Sequence, residues 1–393
     1  MAEPTNAATA TALAAPTWLV RKRVGIDRVD AELRARWLTA GAEGKPVTRT
    51  QTMSIVAVCE TPAHAQTAHE AVAIASGVHG ARTIVVVADE AGEPSIGAEV
   101  ALHPRMGKQS SPGGEEVRLE AHGTARAWIP DTVAKLLAPD VPVYVWWVGD
   151  LPDDDSLFNQ LAPLSQLAIF NSNDMDLRDL SSLVAIGVRG HDRYALGDFA
   201  WHRLRTWQEL TARFFDDAAC LAELTAISAA SISFRPRHDA SRTADPISNQ
   251  AALFAGWLSH ALGWELDAWQ PTTTGAPTAT MKRRDGGTLQ LSFPVVERED
   301  VPVGAIVAVE LQSKSGKFHV GRDDHDPYVV CWSGERPGAV MPAQCVRIHP
   351  PDVPRILAHV LEHAIRDPLF EASLRAAAAL ITPIAPPAPE ARP

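Results

Sequence analysis

The 393-residue chain, 46% hydrophobic and 21% charged, has a globular composition and the length of two domains rather than one. Its 36 basic and 47 acidic residues leave a net charge of −11 with no dense Lys/Arg block, which argues against a nucleic-acid partner held by phosphate neutralisation. No stretch approaches the roughly 20 apolar residues of a membrane-spanning helix, and residues 1–16 lack the basic start and apolar block of a secretory signal, so the sequence reads as soluble and cytoplasmic.

Residues 1–46 read as a tail, a short helix at 30–38 and a Gly/Lys/Pro connector. A β-branched run at 53–59, a helix opened by Pro62 and ended near Gly77 and Gly80, and a second apolar run at 84–87 follow in strand, helix, strand order. Two nearly all-apolar strands around a helix are what a parallel sheet covered on both faces requires. Segments 98–103 and 116–122 alternate more loosely around the loop 107–114, suiting an antiparallel excursion at a sheet edge. A helix at 127–137, a strand at 141–148, acids at 153–155 that can cap the next helix, a strand at 167–170 and a helix at 177–184 complete an α/β domain over 47–215.

The second half, 216–383, reads as α+β. A helix at 251–262 stops at Gly263, and strands at 289–296, 303–311, 318–322 and 328–332 form an antiparallel meander with a Ser/Lys/Gly hairpin turn at 313–316. Helices at 353–366 and 372–380 precede a Pro-rich tail, 384–393, whose composition reads as disordered. The predicted fold class is therefore a mostly parallel, doubly wound α/β domain followed by an α+β domain with an antiparallel meander and helices.

The sequence contains no GxxxxGK[ST] phosphate loop, GxGxxG turn, GxSxG elbow or HExxH helix, so no catalytic, cofactor-binding or metal-ligating set is spelled out. Cys59, Cys220, Cys331 and Cys345 form no CxxC pair and read as buried free thiols, a redox role for any two of them being unsupported by spacing. Arg322, Asp323, Asp324, His325 and Asp326 offer metal or proton chemistry, but lying between two strands and before Pro327 they read as a solvated turn. His191, Asp192 and Arg193 read as a loop. Glu362 and His363 are about 100° apart on a surface helix. Gly113 and Gly114, after Ser110, Ser111 and Pro112, read as a flexible hairpin connection in preference to an anion-binding nest. Asp150, just past the strand at 141–148, has two readings, a turn acid or the edge of a small-molecule pocket. Trp146 and Trp147, adjacent on that strand, must face opposite sides of the sheet, and Trp257 and Trp264, seven apart, should share a helix face.

The most distinctive segment runs from Leu196 to Leu210, where Asp198, Trp201, Arg203, Leu204, Trp207 and Leu210 fit the spacing D-x-x-W-x-R-L-x-x-W-x-x-L. It resembles the signature of the OpcA family, the accessory proteins of glucose-6-phosphate dehydrogenase. The paired tryptophans within 141–150 and the segment 255–264 agree in the same order, and His79-Gly80-Ala81-Arg82 departs from an expected His-Pro-x-Arg. The resemblance implies a non-catalytic partner that binds glucose-6-phosphate dehydrogenase and promotes its assembly into an active form in the oxidative pentose phosphate pathway, acting as an allosteric activator with no cofactor.

In the residues themselves, Leu204, Trp207, Leu210 and Phe214 form an apolar helix stripe that by default faces the core. Arg203, Arg205 and Arg213 lie off it and, with Trp201, are the residue types that partner contacts favour. The alternatives are a small-metabolite-binding regulatory module and an enzyme acting on a phosphorylated metabolite through Asp150 or through His79 and Arg82.

Overall fold

The computed structural model describes residues 19–42, 48–105, 108–151, 156–238, 245–270, 275–336, 339–348, 352–363 and 365–384. The predicted tail at 1–16, all but the first residue of that at 384–393, the acidic cap at 153–155 and most of the connector before Pro46 lie outside them.

The first layer is an eight-stranded sheet. In chain order it comprises β1 (Lys22–Val24), α1 (Val29–Ala42), β2 (Met53–Cys59), α2 (Pro62–His79), β3 (Ala81–Asp89), β4 (Ser95–Arg105), β5 (Lys108–His122), α3 (Ile129–Leu136), β6 (Val143–Val148), α4 (Ser156–Leu161), β7 (Leu167–Phe170), α5 (Asp179–Gly190) and β8 (Ala195–Asp198). The strand order is β1-β4-β5-β3-β2-β6-β7-β8. The run from β5 to β8 is parallel, and β4 returns antiparallel between β5 and β1. The doubly wound reading holds, with β5 inside the parallel run.

Both faces are covered, as all-apolar parallel strands require. Ile55, Ala57 and Trp146 face one cluster with α2, and Val56, Val58 and Trp147 face another with α1 and α3. The adjacent tryptophans therefore serve opposite faces, each 2% exposed.

The predicted loop 107–114 is largely strand. Gly113 and Gly114 are buried in β5, and a Cβ on Gly114 would lie 2.8 Å from the Ala81 carbonyl oxygen and 2.6 Å from Ser76 Cβ. These glycines permit close approach of backbone and helix, in place of a flexible connection or an anion nest. At Gly80 the backbone is left-handed (φ 68°) and caps α2, so glycine suits the position where a proline was expected. The helix predicted at 30–38 is present and longer, as α1, and residues 22–42 join the first sheet: β1 pairs with β4, and Val29, Leu33 and Trp37 of α1 are buried.

The chain then passes through α6 (Phe199–Arg213) and α7 (Ala218–Leu224) into a second eight-stranded sheet. This comprises β9 (Ile227–Phe234), α8 (Asn249–Leu262), β10 (Glu265–Trp269), β11 (Thr278–Lys282), β12 (Thr288–Ser292), β13 (Ile306–Ser313), β14 (Lys317–Arg322), β15 (Val329–Arg336) and β16 (Ala339–Arg347), followed by α9 (Val353–Glu362) and α10 (Pro368–Ile381). Its order is β10-β11-β12-β9-β13-β14-β15-β16, antiparallel except between β9 and β12. The predicted hairpin turn is present, with Ser313 N–H donating to the Gly316 carbonyl at 2.9 Å.

Three expectations are corrected here. Trp264 lies past the Gly263 cap, outside the helix that holds Trp257, because the left-handed glycine (φ 66°) ends α8. The predicted helix 353–366 ends at Glu362, and Asp367 caps a separate helix whose first turn begins with Pro368. Cys331 and Cys345, fourteen residues apart, are joined in a disulfide because antiparallel pairing sets them directly opposite on β15 and β16, while Cys59 and Cys220 are free and buried.

The closing helices return to the first half. Leu357, Val360 and Leu361 of α9 join the α2 face of the first sheet, and α10 packs against both α8 and α5. No helix among the described residues is long and apolar enough to cross a membrane.

Candidate functional site: an arginine-lined cleft at the signature helix

The signature segment builds the joint between the two sheets. Asp198 ends β8 and caps α6, its carboxylate accepting from Ala200 N–H (3.1 Å) and Trp201 N–H (3.3 Å). The same carboxylate accepts from the Ser172 amide (2.8 Å) and hydroxyl (2.7 Å), tying the helix start to the turn after β7. Burial raises the Asp198 carboxyl above its usual range, and these donors oppose that rise. Leu204, Trp207, Leu210 and Phe214 are buried as a single stripe, as their spacing predicts.

Trp201 is 4% exposed, stacked 5.5 Å from Phe370 and donating its indole N–H to Asp367 at 3.0 Å. It docks α10 onto α6 and offers no surface to a partner. Arg203, Arg205 and Arg213 instead project off the stripe into a cleft.

This cleft, about 710 Å³, lies beyond the carboxyl end of β7 between the two sheets. Its cationic lining is Arg203, Arg205 and Arg213 of α6, Arg322 at the end of β14, Arg347 at the end of β16 and Arg355 of α9. Glu209 is the lining carboxylate, and His202 and His359 stand beside it.

The half-buried Arg203, Arg205 and Arg322 and the exposed Arg213 each have a neutral partner. Arg203 donates to the Asn171 side-chain oxygen at 2.8 Å, and Arg205 to His359 Nε2 at 3.0 Å. Arg322 donates to the carbonyls of Ile306 (2.8 Å) and Pro327. Arg322 also lies 5.5 Å over the Trp207 ring, and Arg213 lies 5.3 Å over that of Trp332. Among the described residues no carboxylate lies within ion-pair distance of Arg203, Arg205, Arg213 or Arg322, whereas Arg347 and Arg355 are paired with Asp326 and Asp352.

Burial, then the neighbouring His359 and Arg205, push His202 down to about 4. Burial, then His363 and Arg205, lower His359. Burial and Arg298 push Arg322 down to about 10. The cleft thus holds more positive than negative charge, with Glu209 on its wall and Asp174 and Asp198 acting on Arg203 through space but no direct ion pair to these four arginines among the described residues. A second cavity of about 440 Å³ on the other flank of α6 shares His202, Arg205 and Glu209 with it.

Other polar sets read from the sequence fall elsewhere. His79 and Arg82 lie at the amino end of β3, and Asp150 lies past the carboxyl end of β6, so the sheet holds them at opposite ends. Arg82 is bound to Glu115, Asp30 and the Leu136 carbonyl. Asp323 to Asp326 form the expected turn, the Asp323 carboxylate accepting from the amides of His325 and Asp326.

His69, His103 and Glu116 have metal-ligand geometry. The Arg21 guanidinium, however, lies 2.6 Å from His69 Nδ1 and 2.8 Å from Glu116, supplying the positive charge a cation would bring. His359, Glu362 and His363 also cluster, at the exposed end of α9, with His359 already bound by Arg205. Sequence reading passed over Arg347, Arg355, His202 and His359, which reach the cleft only through the tertiary fold.

Fold and site together define a two-sheet α/β and α+β protein whose joint is a buried helix flanked by an arginine-rich cleft. A family described as the N-terminal domain of a glucose-6-phosphate dehydrogenase subunit matches residues 72–184, and one described as the C-terminal domain of that subunit matches residues 194–374. The chain belongs to the OpcA family.

Its relatives include a protein of Nostoc punctiforme named for the OxPP cycle as OpcA, 26% identical over 299 residues, which cover 72% of this chain and 61% of that one. The protein of the same name in Synechococcus elongatus is 31% identical over 152 residues, covering 39% and 30%. The chain therefore spans less than two thirds of the length of these curated relatives. Among solved structures, KijD10, a 3-ketoreductase from Actinomadura kijaniata, covers 85% of this chain and 96% of its own at 13% identity and a TM-score of 0.49.

Proposed function

We propose that this protein is a non-catalytic accessory subunit that binds glucose-6-phosphate dehydrogenase and promotes its assembly into an active form, serving oxidative pentose phosphate metabolism. The observation that carries this reading is that two domain families, both described as parts of a glucose-6-phosphate dehydrogenase subunit, match this chain in order over residues 72–184 and 194–374. An accessory protein of this kind acts by holding the active form of the enzyme more tightly than the inactive one, since only differential affinity moves such an equilibrium. No active site of its own is required.

The test is the rate of the same organism's glucose-6-phosphate dehydrogenase across glucose 6-phosphate concentrations, with and without this protein, beside this protein alone. A higher rate or lower apparent KM in the mixture only, with co-elution of the two chains, is the expected result. An unchanged rate with no co-elution would remove the accessory reading, and turnover by the chain alone would replace it with an enzymatic one.

A further inference from the structure

We propose that the cleft lined by Arg203, Arg205, Arg213 and Arg322 is a binding site for a small phosphorylated ligand. The inference does not depend on the accessory reading.

It begins from charge. Four guanidinium groups, on α6 and at the end of β14, converge on one concavity with hydrogen bonds only to an amide oxygen, an imidazole nitrogen and backbone carbonyls, or with contacts to aromatic faces. Bringing like charges together away from water is costly, and proteins offset that cost with a carboxylate or with a bound anion. Here Asp174 and Asp198 act on Arg203 only through space and Glu209 lines the cleft without an ion pair, so none of the four has a directly bonded carboxylate among the described residues, while Arg347 and Arg355 do have theirs. The charge without a direct ion pair therefore runs from the half-buried Arg203, Arg205 and Arg322 to the exposed Arg213 at the rim, and an anion would sit among them.

Arginine rather than lysine makes up the whole cationic lining. The planar guanidinium fork matches phosphate oxygens two at a time, and this pairing is stronger than a neutral hydrogen bond. His359 accepts from Arg205 and holds it in place, and the adjacent His202 has a buried ring nitrogen, Nδ1, with no hydrogen-bond partner among the described residues.

Size and surroundings select a small ligand. The volume of about 710 Å³ suits one metabolite, not a polymer. The net charge of −11 repels polyanions at long range, so the positive potential is confined to the cleft. Pro302, Val346, Ile348 and Ile356 on the lining give an uncharged wall for the remainder of the molecule.

The experiment uses the full chain. Its thermal midpoint and heat of binding are followed on titration with inorganic phosphate, glucose 6-phosphate and glucose, with sodium chloride at matched ionic strength. Saturable binding of glucose 6-phosphate or inorganic phosphate, and none of glucose, is expected. The ratio of the two affinities tells whether the site reads the phosphate alone or an ester. Arg205→Gln and Arg213→Gln, each shown to be folded by circular dichroism, should weaken the binding tenfold or more, with Arg205→Lys losing less than Arg205→Gln. A shift reproduced by sodium chloride, no saturable binding of either phosphate, or binding unchanged in both glutamine variants would overturn the proposal.

Discussion

Glu115 and Glu116 sit side by side in β5, each nearly sealed from solvent and each facing a different side of the sheet. Glu115 gathers four donors, from Trp37 (2.7 Å), Arg49 (2.5 Å), Gln51 (2.6 Å) and Arg82 (2.9 Å), and so ties α1, β3 and the segment leading into β2 to one carboxylate. Removing one member of a buried ion pair leaves the other charged without compensation, at a cost of about 3–5 kcal/mol. Glu115→Ala should therefore lower stability by that order, read as a lower urea midpoint at unchanged slope. A loss under 1 kcal/mol would show that water reaches Arg82.

Acid sensitivity also belongs to single residues. The folded-state value of His202, pushed down to about 4 from an ordinary 6.5, means that the unfolded chain takes up its proton first. Its contribution is complete above pH 6.5 and is lost as pH falls toward 4, amounting to up to about 3 kcal/mol. Burial would raise the Glu116 carboxyl, but hydrogen bonds from His103 and His69 hold it well below its ordinary 4.5, so its contribution is lost below that value. Stability followed from pH 7.5 to 4 should fall for the native chain and fall less steeply for His202→Leu. Parallel slopes would place the titration elsewhere.

At the scale of elements, Gly256 decides how closely two helices approach. A Cβ there would lie 2.7 Å from the backbone nitrogen of Ala377, so the bare backbone lets α8 seat on α10. In an exposed helix Gly→Ala is stabilising by about 1 kcal/mol. Here the sign should reverse, with Gly256→Ala costing about 1–3 kcal/mol as an overpacked contact. A more stable variant in chemical denaturation would mean that the helices separate freely.

The same scale separates what the sequence discloses from what it conceals. Runs rich in valine and isoleucine, such as 53–59 and 84–87, were legible as buried parallel strands because both faces must be apolar. The central strand β9, Ile-Ser-Ala-Ala-Ser-Ile-Ser-Phe, was not, because small residues carry little hydrophobic signal. β1 is three residues long and is a strand only through its pairing with β4. For the cleft, Arg203, Arg205 and Arg213 stood out by lying off the helix stripe. Arg322, Arg347 and Arg355 join them from more than a hundred residues away, a convergence that helical period cannot report.

For the whole molecule, a boundary at 215/216 predicts two units that unfold separately, and the packing argues otherwise. One continuous cluster runs from Val29 and Leu33 through Leu204 and Trp207 of the signature helix to Ile232 and Leu291 of the second sheet and Phe370 of α10. α9 closes the loop in the other direction, its Leu357 and Val360 lying in the cluster of Ile55 and Trp146. Each sheet loses part of its cover if the other half unfolds, α9 from the first and the signature helix from the second. The chain should therefore lose far-ultraviolet dichroism and tryptophan fluorescence in one coincident urea transition, with a slope suited to both halves together. Trp207→Ala, which empties the joint, should shift that whole transition by about 3–5 kcal/mol without splitting it. Two separated transitions in the native chain would mean that the joint contributes less than either sheet's own core. A split confined to Trp207→Ala would instead locate the coupling in the signature helix, the element that also carries three of the cleft's four arginines without an ion pair.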